Sequence, residues 1–155
     1  MITRAKANDF LKQLFGNSTG SSFYYIGLGL ASSTPDEDGN NFEEPKIPSG
    51  TIYEEDGITP ITITKNEYQR VHVKDLMETP SDAIIKNKKI IFFNEAEHYS
   101  WGEIGYFGIF TDELSKNPIF WGEINPTITV NQYNIPIFRA GKLQIGIDND
   151  PATQL

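Results

Sequence analysis

The sequence predicts an all-β fold, an antiparallel β-sandwich of jelly-roll type with one short N-terminal amphipathic helix, and three observations carry that expectation. About eight stretches of β-branched and aromatic residues have strand length and are separated by Gly, Pro, Asn and Asp turns. Ten Phe, seven Tyr and two Trp stand among thirteen Gly and nine Pro, the composition of many short strands joined tightly. Helical periodicity is confined to residues 1–16. A length of 155 residues suits a single domain over 1–155, with the helix in 1–16, the sandwich in 23–147, an inserted loop or arm in 46–66 and a tail in 148–155.

The helix is expected near residues 3–15, where Ala7, Phe10, Leu11, Leu14 and Phe15 fall on one stripe and Gly16-Asn17 supplies a left-handed stop. That stripe must lie on an apolar surface, either the chain's own sheet or a neighbouring subunit. After the Gly/Ser-rich connector 17–22, Phe23-Tyr24-Tyr25-Ile26-Gly27-Leu28-Gly29-Leu30 reads as a buried strand, closed by the polar loop 32–41. Further strands are expected at 59–64, 68–73, 89–93, 101–110, 119–124, 127–130 and 135–147.

The most informative of these is Trp101-Gly102-Glu103-Ile104, which returns as Trp121-Gly122-Glu123-Ile124 after a turn-rich break at 111–118, the pattern of a β-hairpin. The 46–66 segment, with Pro48, Gly50, Glu54-Glu55-Asp56-Gly57 and Pro60, is a poor core element. Its alternating Ile61-Thr62-Ile63-Thr64 suits an exposed strand of a protruding hairpin that reaches a neighbour.

Thirteen basic against twenty-one acidic side chains give a formal charge of −8, which repels phosphate backbones and anionic lipid, so neither nucleic-acid binding nor membrane insertion is expected. The absence of Cys excludes disulfides, thiolate nucleophiles and Cys-based zinc sites. Residues 1–15 carry Arg4, Lys6, Asp9 and Lys12 and lack the apolar core of a signal peptide, so a soluble product is expected.

Candidate chemistry is sparse. Asp36, Asp38 and Asn40 place oxygens at alternate positions as calcium loops do, but Asn41 stands where the turn glycine belongs and Ile47 where the bidentate acid belongs, so a solvated turn is the better reading. Asp148-Asn149-Asp150 reads as an exposed tail. Glu103 and Glu123 would make a glycosidase pair only if they converged across a sugar, and a repeated hairpin edge gives the same pattern without catalysis.

His72 and His98 belong to no triad or zinc-ligand spacing, and Gly27-Leu28-Gly29 has no following helix to cradle phosphate. No catalytic residue, cofactor or metal is therefore expected. Trp101 and Trp121 read by default as core or interface rings. A glycan-binding function would instead use Trp101, Trp121, Tyr24 and Tyr53 as stacking platforms.

The ordered set of segments resembles a family of small virion proteins of tailed bacteriophages. The resemblance rests on Leu14-Phe15-Gly16, Tyr25-Ile26-Gly27-Leu28, Thr34-Pro35-Asp36-Glu37-Asp38-Gly39, Phe42-Glu43-Glu44-Pro45, Tyr68-Gln69-Arg70-Val71, Asn87-Lys88-Lys89-Ile90-Ile91-Phe92, Glu95-Ala96 and Trp101 through Asp112. The final strands, 119–124 and 137–145, are also similar, so the resemblance spans nearly the whole chain; the departure is the longer 46–66 segment.

It implies a non-enzymatic, multi-copy structural protein of the virion, in the tail, baseplate or fibre apparatus, acting in assembly or host attachment. An outer-capsid decoration or head-fibre role, and a carbohydrate-binding module, are the alternatives. Expected partners are other virion proteins, further copies of the chain, with a trimer preferred, and a cell-surface glycan. The surfaces expected to mediate assembly are Phe10, Leu11, Leu14 and Phe15 on the helix and Ile61 and Ile63 on the arm.

Overall fold

The computed structural model describes residues 3–15 and 24–146. The expected helix stop at Gly16-Asn17, the 17–22 connector, the start of the first strand at Phe23 and the 148–155 tail with Asp148-Asn149-Asp150 lie outside the described residues, as does the side chain of Leu14. Among the described residues the chain is all-β and antiparallel with one short N-terminal helix, compatible with the sandwich class. The elements are α1 (Arg4–Phe15), β1 (Tyr25–Leu30), β2 (Ile52–Tyr53), β3 (Pro60–Ile61), β4 (Val71–His72), β5 (Ile84–Lys86), β6 (Ile91–Phe92), β7 (Gly102–Phe110), β8 (Phe120–Val130), β9 (Ile137–Phe138) and β10 (Gln144–Gly146). They divide between two compact units, one of Tyr25–Val71 with Phe92–Pro136, the other of Met1–Tyr24 with His72–Ile91 and Ile137–Leu155.

The first unit is built on the four-stranded sheet of order β4-β1-β7-β8. β7 and β8 form the hairpin that the repeated Trp-Gly-Glu-Ile announces, but the two copies are not opposite each other: Glu103 pairs with Thr129, and Glu123 with Tyr106. The two strands expected at 119–124 and 127–130 are one strand, β8, accommodated by a register shift between Ile104 and Tyr106 on β7. β1 and β7 pair through Gly27 and Gly108.

A Cβ added to Gly27 would lie 2.7 Å from Glu44 Oε1 and 2.8 Å from both the Phe110 ring and the Tyr68 hydroxyl, and one on Gly108 would lie 2.9 Å from the rings of Phe110 and Phe42. The glycines are therefore the floor on which aromatic rings rest. Ile26, Leu28, Phe42, Tyr68, Phe93, Trp101, Ile104, Ile109 and Phe110 are buried there. The 46–66 segment supplies the β2–β3 hairpin, with Ile52 opposite Ile61 and Tyr53 opposite Pro60.

In the second unit α1 lies along β5, and Asn8 Oδ1 accepts from the Ala83 amide at 2.7 Å. Ala7, Leu11 and Phe15, spaced by four, are fully buried, whereas Phe10 is 45 % exposed, which corrects the broader stripe expected from the sequence. β10 pairs with β5, joining Ile145 to Ile85 in the core, and β6 pairs with β9. Asn87 is the buried polar residue of this core. Its amide nitrogen donates to the Lys89 and Arg139 carbonyls at 2.8 and 3.0 Å, and its oxygen accepts from the Leu143 amide at 3.0 Å, so its polar atoms are hydrogen-bonded inside the unit.

Two strands went unread in the sequence, β2 and β5. Both are two to three residues long, too short for a period of two to register.

Candidate functional site

The phage-like motifs of the first unit converge on Arg70. Its guanidinium makes a bidentate pair with Glu44, Nε to Oε1 and Nη2 to Oε2 at 2.9 Å each, with Arg70 7 % exposed. The same group sits 3.4 Å over the Phe110 ring and donates to the carbonyls of Asp112 at 3.0 Å and Ser115 at 2.6 Å.

Tyr68, two residues earlier on the chain, donates its hydroxyl to Glu44 Oε1 at 2.6 Å and accepts from the Leu28 amide at 2.8 Å. Burial first, and the Glu44 carboxylate next, push that hydroxyl well above the usual tyrosine range. Tyr-Ile-Gly-Leu, Phe-Glu-Glu-Pro, Tyr-Gln-Arg-Val and Phe-Gly-Ile-Phe-Thr-Asp are thus one network, fully hydrogen-bonded and mostly buried. Its residues hold each other, and their motif is a folding motif.

The loop that Arg70 pins is also braced from within. Asp112 Oδ1 accepts from the Leu114 and Ser115 amides at 2.7 and 2.5 Å, and these bonds lower its pKa, the Leu114 amide most. Leu114, 92 % exposed, is therefore carried on a backbone with little freedom. Beside it Glu44, Pro45, Lys65, Gln69 and Glu113 line a groove of about 570 Å³.

The second concave feature lies against the β2–β3 hairpin. Its turn is closed by the Glu54 amide donating to the Thr59 carbonyl at 2.8 Å, and by Asp56 accepting from the Thr59 hydroxyl and the Ile58 and Thr59 amides. The Thr59 side chain is the largest cause of the lowered Asp56 pKa. Tyr53, Glu54, Glu55, Asp56 and Ile61 on the hairpin, with Glu97, His98, Gln132 and Tyr133, line a cleft of about 370 Å³ that has no Lys or Arg in its wall. Tyr133 donates its hydroxyl to Glu55 at 3.1 Å.

Behind the cleft, Glu67 accepts from both the His98 amide and His98 Nδ1, the latter at 2.5 Å. Glu67 is itself fixed by its amide donating to Tyr99 Oη at 2.9 Å and its carbonyl accepting from Asn94 at 3.0 Å.

Trp101 is 4 % exposed, edge-on to Tyr68, and so is a core ring with no face for a sugar. Trp121 is half-buried, edge-on to Tyr106, and donates Nε1 to the Asp36 carbonyl at 2.9 Å. Tyr24 is half-buried and packs against Phe15. Tyr53 lines the hairpin cleft together with Tyr133, a ring with no signal in the sequence because it stands alone in a polar turn.

Ile61 and Ile63 are half-buried. Glu103 and Glu123, offset by three residues along β7, lie roughly 10 Å apart by strand rise, and Glu103 accepts from Thr127 at 2.6 Å. Asp36 accepts from the Asn40 side chain and from the Asp38 and Asn40 amides, which close the turn; the Asn40 side chain contributes most to its lowered pKa.

No curated protein sequence matches the chain. Residues 1–146 match the family model described as Podophage GP4 fiber I protein gp80, so the chain belongs to this family of phage fibre structural proteins and is a component of the virion.

Proposed function

We propose that the protein is a non-enzymatic, multi-copy subunit of the tail, baseplate or fibre apparatus, joined to other virion proteins through its exposed loops. The observation that carries this reading is the division of labour among its apolar residues. The motif aromatics Tyr68 and Phe110 are absorbed in the Arg70 network. Among the described residues the two most exposed large apolar side chains sit on braced turns: Leu114 on the Arg70-pinned loop and Ile58, 79 % exposed, at the Asp56-capped hairpin tip. Apolar side chains held on ordered backbone lose little entropy on docking, which is how an assembly contact gains affinity. Helix residue Phe10 offers a third such contact.

The test is incorporation into particles. Deleting residues 52–61 with a Gly-Gly closure leaves a folded chain that fails to enter, or enters poorly, the mature particle. Unfolding of the isolated variant would assign the hairpin to the core, and normal incorporation would remove it from assembly.

The cleft favours a second reading, attachment to a host-surface glycan. Tyr53 and Tyr133 are each about half exposed beside carboxylate acceptors and the Gln132 amide, the mix of apolar faces and hydroxyl-binding groups that sugars use. Tyr53→Ala and Tyr133→Ala would then lower adsorption to host cells while leaving particle composition unchanged.

A further inference from the structure

The His98 environment differs in kind from the other acidic turns of the chain. A carboxylate can only accept, so the 2.5 Å contact between Glu67 and His98 Nδ1 places a proton on Nδ1, and in the neutral imidazole Nε2 is then the nitrogen that carries the lone pair. Nε2 points toward the Glu97 carboxylate, 3.9 Å away. Among the described residues neither Nε2 nor the Glu97 carboxylate has a hydrogen bond, and both residues stand in the wall of the hairpin cleft. One ligand atom from each of Glu67, Glu97 and His98 lies within 4.8 Å of the others.

We propose that His98 Nε2 and a Glu97 oxygen bind a divalent transition-metal ion at the cleft wall, with Glu67 as the group that positions the imidazole. A carboxylate on the remote ring nitrogen is the arrangement that fixes tautomer and ring orientation in histidine-ligated metal sites, and it raises the basicity of the ligating nitrogen. Ligands around a tetrahedral zinc are separated by about 3.4 Å, given bond lengths of about 2.0–2.2 Å, so a small rotation of the exposed Glu97 side chain closes the present gap.

An imidazole nitrogen in the set selects Zn²⁺, Ni²⁺ or Co²⁺ over Ca²⁺ and Mg²⁺, which prefer all-oxygen shells. With two protein ligands, the remaining coordination positions open to the cleft, where Glu54 and Glu55 add negative potential. The backbone on both sides is held in place. Gln132 Nε2 donates to the Glu97 carbonyl at 3.0 Å, and Glu67 receives the His98 amide.

The site is tested on the full chain without a polyhistidine tag, using ZnCl₂ and CaCl₂ as probes. Isothermal titration should show one Zn²⁺ per chain and no comparable Ca²⁺ binding. With only two histidines present, ¹⁵N-imidazole spectra can follow the ring directly. Zn²⁺ should shift the His98 Nε2 resonance and spare His72, a readout that needs no variant to fold.

His98→Ala and Glu97→Gln should abolish or strongly weaken binding, and Glu67→Gln, which keeps a hydrogen-bond acceptor, should weaken it about 10-fold, as loss of an orienting carboxylate does. Glu103→Gln, outside the cleft, should have no effect. An unshifted His98 Nε2 at saturating Zn²⁺, Zn²⁺ affinity retained in folded His98→Ala, or tighter binding of Ca²⁺ than of Zn²⁺ would each overturn the assignment.

Discussion

Arg70 and Glu44 are joined by two parallel hydrogen bonds of 2.9 Å, twenty-six residues apart in the chain, and the pair is closed over by the Phe110 ring and the Tyr68 hydroxyl. Breaking a buried, hydrogen-bonded ion pair by removing one partner leaves the other charge uncompensated. Arg70→Met and Glu44→Gln should therefore each destabilise the chain by about 3–5 kcal/mol in urea unfolding. The double variant should cost less than the sum of the singles, because no orphan charge remains. Additive losses would show that the two groups act independently.

Gly27 and Gly108 should not accept alanine. In each case the new methyl meets buried groups at 2.7–2.9 Å, among them the far side of the Phe110 ring. Gly27→Ala and Gly108→Ala should cost about 1–3 kcal/mol, as overpacking does, while Gly57→Ala, with open space around it, should show only the smaller penalty of its positive φ. Thermal unfolding of the three variants side by side orders them.

The helix separates packing from contact. Leu11 is fully buried, so Leu11→Ala should lose about 2–5 kcal/mol, whereas Phe10→Asp, at a half-exposed position, should leave the isolated chain's stability within about 0.5 kcal/mol. If Phe10 is an assembly contact, the same variant should reduce incorporation into particles. A strongly destabilised Phe10→Asp chain would return that ring to the core.

Three turns make the fold sensitive to acid. Asp36, Asp56 and Asp112 each have a pKa held below the ordinary aspartate value by hydrogen bonds from their own turns. A carboxylate with a lowered folded-state pKa contributes its full stabilisation above the unfolded-state value of about 3.9 and loses it as pH falls through the folded one. Unfolding free energy should therefore be level in this contribution above about pH 5 and decline as pH falls below about 4. The triple Asp→Asn variant should show a shallower decline. Equal slopes would place the acid sensitivity elsewhere.

Much of the fold was legible because its signals are local. The β7–β8 hairpin declares itself through aromatic alternation on both sides of an Asp/Ser/Asn/Pro turn, and α1 through residues spaced by four. The offset that separates Glu103 from Glu123 was not legible, since register depends on the bulge between Ile104 and Tyr106. Nor was the role of the motifs. Glu44, Tyr68, Arg70 and Phe110 are scattered over sixty-six positions, and only folding shows that they satisfy one another.

The candidate sites were hidden for the same reason. His98 and Glu67 are thirty-one residues apart, and no ligand spacing links them. Tyr133 and Tyr53 are eighty residues apart and share a cleft once the hairpin brings Glu55 within reach of the Tyr133 hydroxyl. Trp101, by contrast, is the core ring its default reading made it, set edge-on to Tyr68.

Quantitative mass spectrometry of purified virions, with copy number scaled to the portal and major capsid proteins, decides whether this chain is a multi-copy structural subunit of the phage particle. Peptides from this chain should be present at several copies per particle, in a fixed ratio to the tail and fibre proteins and retained through density-gradient purification. Particles that are complete and infectious yet contain none of it would rule out that role.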